Sequence, residues 1–213
     1  MFWAGESGAN HMALYLNTEF TTGFPIVPPV WDDLRVPANA TRVGSTAVPG
    51  LDVFLKNGAG TSTGVFLLWF DKSSVEQVHF GAQLPHAWKL GSTIHAHVHW
   101  VPKTNGGAGA KVSWGLEYTW VKIGGVYSPT TIISGNAHMP ADASLVAGKH
   151  YLTELGTISG AGIDTVSSML MCRLFRDATG ALGTDDYDDD AGLLEVDFHI
   201  EFDSTGSRTE YAK

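Results

Sequence analysis

The sequence predicts an all-β protein: an antiparallel β-sandwich, of the jelly-roll type, with an extended N-terminal arm. Three observations carry that prediction. Apolar and polar residues alternate strictly in Thr93-Ile94-His95-Ala96-His97-Val98-His99-Trp100 and again from Leu194 to Asp203. A period of two marks a strand with one buried face. No stretch shows sustained helical periodicity, and nine to eleven strand-like runs alternate with turn signals in a chain holding 25 glycines and nine prolines. Many short strands with recurrent turns fit a sandwich or jelly roll at this length of 213 residues.

The elements follow in chain order. Residues 1–24 read as a flexible or partner-docked arm, with a candidate first strand over 13–20. Phe24, Pro25, Ile26, Val27, Pro28, Pro29 and Trp31 form an extended path, because prolines in this run exclude a central strand. This arm is a candidate contact surface for other subunits. Residues 25–205 read as one domain and 206–213 as a C-terminal tail. In Trp31–Pro37, Leu34 and Val36 share a face. Gly64–Phe70 is continuously apolar and reads as a strand buried on both faces. Val75–Phe80 is a short strand, Thr93–Trp100 the histidine strand, and 102–110 a Gly-rich loop. Val112–Trp120 alternates again, and the short connection makes it the expected hairpin partner of the histidine strand. That pairing would bring Glu117 to the histidines. Strands are also expected over 130–134, 151–159, 168–177 and 194–203, with one short helical turn within 140–149.

Composition excludes several classes. Net charge is −9 and no Lys/Arg cluster occurs, so nucleic acid is not an expected partner. No run of about 18 apolar residues is present, so no membrane span is expected. The N-terminus lacks the pattern of a signal peptide. The single cysteine, Cys172, lies in a strand-like run and reads as a small buried apolar residue. Charged residues are 16% of the chain against a usual share of about 25%. Few charges with many aromatics suit a surface covered by other subunits.

Two residue groups are candidates for chemistry. His95, His97 and His99 form a row on the polar face of their strand, about 7 Å apart. The simplest reading is a hydrogen-bonded, metal-free row packed against another sheet or subunit. The second is a transition-metal site completed by symmetry at a trimer axis. The third is a cupin-type metal centre with Glu117 or His199. A cupin's glutamate follows its histidines within a few residues, whereas here the next carboxylate is eighteen residues on. The loop containing Asp185, Asp186, Asp188, Asp189 and Asp190 is a solvated acidic loop or a Ca²⁺ site, although it lacks EF-hand spacing. No nucleophile elbow, P-loop or dinucleotide fingerprint occurs, so an enzyme is not the expected class.

Three phrases bear a resemblance: Trp31-Asp32-Asp33-Leu34-Arg35-Val36-Pro37, His95-Ala96-His97-Val98-His99-Trp100 and Trp114-Gly115-Leu116-Glu117-Tyr118-Thr119-Trp120. Together they resemble virion structural proteins of tailed bacteriophages, over roughly residues 25–203. The resemblance implies a jelly-roll module on the particle: a head decoration (cement) protein, a head fibre or a tail-associated protein. It brings no catalytic residues. The expected role is a homotrimer that bridges major capsid protein subunits, located on the virion after assembly in the host bacterial cytoplasm. The alternative is a tail or head-fibre protein that recognises a host surface glycan through exposed Trp and Tyr with nearby carboxylates. A metal-dependent enzyme of cupin type ranks third.

Overall fold

A computed structural model describes residues 25–213, so the arm over 1–24, with its candidate strand and Phe24, lies outside the described residues. The strands are β1 (Pro25–Pro37), β2 (Arg42–Val43), β3 (Gly50–Leu55), β4 (Val65–Phe70), β5 (Gln77–Gln83), β6 (Ile94–Pro102), β7 (Trp114–Val121), β8 (Thr131–Gly135), β9 (His138–Met139), β10 (Tyr151–Ile158), β11 (Met169–Arg176) and β12 (Ala191–Ser204). A single 3-10 turn, Ala38–Ala40, is the only helix among the described residues. The helical turn expected within 140–149 is irregular chain instead.

Two antiparallel sheets face each other. The larger runs β3-β4-β12-β6-β10-β9, with β1 also paired to β12; the smaller runs β2-β5-β11-β7-β8. Eight of these strands form nested antiparallel pairs: β7 with β8, β6 with β10, β5 with β11 and β4 with β12. Folding such a four-deep ribbon over gives β4-β12-β6-β10 facing β5-β11-β7-β8, which is the jelly-roll arrangement.

The interior is aromatic. Trp100 from β6 meets Trp114 from β7 at 6.3 Å between ring centroids, and Phe70 from β4 meets Trp114 at 5.1 Å. Trp100 Nε1 donates to Thr153 Oγ1 at 3.0 Å, so the buried indole keeps a partner. The Trp100–Trp114 contact also corrects the expected hairpin. β6 and β7 lie in different sheets. Each has a full apolar face, and packing the two face to face buries both. The connection between them is long enough to cross the gap of about 10 Å between packed sheets.

β12 organises the larger sheet. On one side it pairs with β6; on the other it pairs first with β4 and then, from Glu195 on, with β1. A bulge between Leu193 and Glu195 switches the alternation. Leu193 is buried before it, and Val196, Phe198 and Ile200 are buried after it. Leu194, expected in the core, borders a cavity on the outer face. β1 is not a free arm from Val30 onward: Val30–Pro37 is zipped along β12, with Val36 in the core. The apolar run of β4 is also only half buried. Phe70 is in the core, whereas Val65 is 59% and Phe66 43% exposed. The C-terminal tail folds back, and the Lys213 ammonium donates to the carbonyls of Ala87 and Trp88 and pairs with Asp203.

Arg176 ties the two sheets to the 177–190 loop. Its side chain is fully buried. Nε and Nη2 fork onto the buried Asp185 carboxylate at 3.0 and 2.8 Å. The remaining donors go to the carbonyls of Phe70, Tyr187 and Asp189. Removing one member of a buried pair leaves an uncompensated charge. Arg176→Ala is therefore expected to lower unfolding free energy by about 3–5 kcal/mol, measured by urea denaturation. Arg176→Lys, which cannot reproduce the planar fork, is expected to recover only part of the loss.

Candidate functional site

The outward faces of β1, β12, β6 and β10 place polar residues side by side. Register puts Asp197 beside His97 and His199 beside His95, with Asp33 of β1 opposite His199. Glu154 of β10 lies on the other side of His97. Asp197 is the centre of the group. His99 Nε2 stands 3.3 Å from its Oδ1, His97 Nδ1 3.7 Å from the same oxygen, and His199 Nε2 3.2 Å from its Oδ2. His199 Nε2 also lies 3.1 Å from Asp33 Oδ1. The rings of His97 and His199 are 4.0 Å apart.

Although Asp197 points away from the core, it is only 2% exposed, and His97 is 5% exposed. The flanking imidazoles and β1 cover them. Burial pushes His97 below the ordinary histidine pKa; the adjacent His199 adds to this, and Asp197 opposes it. The contact with Asp197 raises His99, against burial. His99 Nδ1 and His150 Nε2 are 2.7 Å apart, which requires a proton on one of them. Burial, with His99 as the second cause, lowers His150. Beside the cluster, Arg35 forks onto Glu195 with two contacts of 2.6 Å. A cavity of about 390 Å³ opens there, lined by Asp33, Arg35, His99, His150, Glu195 and Asp197.

The structure thus keeps part of the predicted row and changes its company. His97 and His99 converge on Asp197. His95 stands apart, 3.7 Å from Glu154 and edge-on to Trp31. Glu117, expected near the row, lies in the other sheet, where it accepts from Arg173 Nε at 2.7 Å and Thr130 Oγ1 at 2.6 Å. All three histidines are on the outer face of the sandwich rather than between its sheets. Asp33 and His150 went unread as site residues, because their place beside the row depends on strand pairing with no local signature.

The five aspartates of the acidic loop do not converge. Asp185 pairs with Arg176, Asp188 with Lys72 and Asp190 with Lys103. Asp186 accepts the backbone N–H of Lys111, and Asp189 accepts from Thr104 Oγ1. The loop is held by protein donors at five separate places.

The outer face of the smaller sheet carries an open groove of about 630 Å³, lined by Arg42, His79, Glu117, Thr119, Thr130 and Arg173 among others. Hydrogen bonding from Thr130, with Arg173 as the second stabilising partner, holds Glu117 below the usual carboxylate range. Cys172 lies at the base of this groove, buried.

No family model matches the chain, and no curated protein matches it significantly. Among solved structures, the CBM22-1–GH10 modules of Clostridium thermocellum endo-1,4-β-D-xylanase 10B, complexed with xylohexaose, align with 86% of this chain at 11% identity and a TM-score of 0.38. The chain spans 29% of that protein's length. The module TmCBM61, in complex with β-1,4-galactotriose, aligns with 82% of this chain and 88% of its own at 12% identity and a TM-score of 0.27. Likenesses this weak carry no functional argument. The class, an antiparallel jelly-roll sandwich, stands on the strand pairing itself.

Burial pushes the Cys172 thiol up to about 12. Since the thiolate is the reactive species, the native protein is expected to resist a disulfide exchange reagent at neutral pH. One thiol per chain should react after denaturation. Rapid reaction in the native state would contradict the burial.

Proposed function

We propose that the protein is a structural subunit of a bacteriophage particle, a homotrimeric head decoration protein that bridges capsid subunits. The observation that supports this is the partly exposed apolar ribbon β3–β4. Cross-strand partners share a face, and Leu51 pairs with Leu68 and Val53 with Phe66. Phe66, Leu68 and Phe70 follow at intervals of two, so their face is the one that reaches the core at Phe70. Toward the outer end of this face the described residues leave Phe66 43% exposed, while Val53 and Leu68 are half-buried. Leu51 is 69% exposed. β3 is also an edge strand of its sheet. A long apolar edge left in water invites association. Coverage by a neighbouring subunit gives this ribbon a use, and the resemblance of the phrases around Trp31, His95 and Trp114 to phage virion proteins is the ground for proposing a phage particle as the assembly.

Native mass spectrometry and co-sedimentation with phage heads test the proposal on the full chain. The wild type is expected to be a trimer that sediments with heads. Leu51→Asp and Phe66→Glu are expected to shift it toward monomer and to reduce head binding at least tenfold, with far-UV circular dichroism unchanged. A wild-type monomer that stays in the supernatant overturns the proposal.

The alternative, a fibre or tail module that recognises a host glycan, is favoured by one feature. The groove on the smaller sheet presents Arg42, Glu117, Thr130 and Arg173, groups able to hydrogen-bond sugar hydroxyls. The exposed aromatics Trp31, Tyr127 and Tyr211 do not line it. Saturable glycan-array binding that Glu117→Ala abolishes would favour this alternative over the structural role.

A further inference from the structure

We infer that His97, Asp197 and His199 form a binding site for a divalent transition-metal ion of the zinc class, built across β6 and β12 and flanked by Asp33 of β1. One ligand atom from each of the three lies within 4.8 Å of the other two. The measured separations are 3.7 Å between His97 Nδ1 and Asp197 Oδ1, and 3.2 Å between His199 Nε2 and Asp197 Oδ2. Ligands about 2.0–2.1 Å from a tetrahedral ion are ~3.3 Å from one another. With every pair of ligand atoms within 4.8 Å, the group is compact enough for small side-chain adjustments to bring all three onto one ion.

A second observation points to a ligand. His97 Nδ1 and Asp197 Oδ1 are buried, face each other, and have no hydrogen-bond partner among the described residues. His99 Nε2, 3.3 Å from the same Asp197 oxygen, is also buried without such a partner. Buried polar atoms are ordinarily paired, and leaving them unpaired is costly. One cation in their midst would satisfy His97 and Asp197 together.

Charge and donor type agree. Asp33 and Asp197 supply two carboxylates to the group, while Arg35, which lines the adjoining cavity, is engaged by Glu195. Two imidazoles with one carboxylate favour zinc, cobalt or nickel over calcium, which takes oxygen ligands. Asp33 Oδ1 lies 3.1 Å from the same His199 Nε2, so it stands at the rim of the shell as a further carboxylate oxygen for the ion. His95 is outside the set. The ion would cross-link β6 and β12, neighbouring strands at the centre of the larger sheet. This site does not depend on the assembly role, and either proposal stands if the other fails.

The test uses the full chain, stripped with a chelator, equilibrated with ZnCl₂ and passed through a desalting column before elemental analysis. One zinc per chain is expected, with CaCl₂ giving none. Cobalt(II) should give the intense visible absorption of a low-symmetry, four-coordinate site. His199→Gln, at a half-exposed position, should lose both signals while remaining folded. Asp197→Asn should do likewise, and His95→Gln should retain both. A wild type that retains no zinc overturns the site. So does a His199→Gln variant that retains a full equivalent.

Discussion

The larger sheet depends on one strand. β12 is long enough to serve β4 and β1 in succession on one side and β6 on the other. Its bulge at Leu194 makes this possible. The extra residue reverses the alternation, so Leu193 before it and Val196 after it both reach the core. Without that reversal, a strand of this length would present carboxylates to the interior along half its course. The jelly roll, the docking of β1 and the polar cluster on the outer face all follow from the same ladder.

The outer face then acquires an interior of its own. An antiparallel sheet with one face on the core ordinarily leaves the other to water. Here, β1 and a row of imidazoles close over Asp197, which becomes nearly as buried as the core. A carboxylate in that position needs compensation, because desolvation disfavours its charge. Three histidines stand within 3.7 Å of it, yet its Oδ1 has no hydrogen-bond partner among the described residues. Burial lowers His97 while contact with Asp197 raises His99, so two imidazoles beside one acid are pushed in opposite directions.

The two sheets are unequal, and the inequality has a consequence. β3 and the first half of β4 lie at one edge of the larger sheet and leave Leu51, Leu55, Val65 and Phe66 exposed. In the sequence, Val65–Phe70 is uniformly apolar and reads as a strand buried on both sides. The reading is sound for Phe70 but not for Val65 and Phe66 within the single chain. This mismatch between an interior-like sequence and an exposed position is the observation on which the proposed assembly role rests.

Local alternation determined much of this protein. The run from Ile94 to Trp100 dictated a strand with histidines on one side, and the run from Val196 to Ile200 dictated its acidic counterpart. Pairwise steric and solvation rules act within a few residues, so such patterns can be read without knowing the fold. The absence of helical periodicity and the spacing of turns likewise determined a sandwich. Only the tertiary structure decided which strands are neighbours. It placed β7 across the core from β6 instead of beside it, because two apolar faces bury more area by stacking than by pairing edge to edge. It brought Asp33 and Asp197 to His199 and His97 across more than sixty residues of chain, through register that no local pattern encodes. It distributed the aspartates of the 185–190 loop to Arg176, Lys72, Lys103 and other donors that the linear sequence does not place nearby.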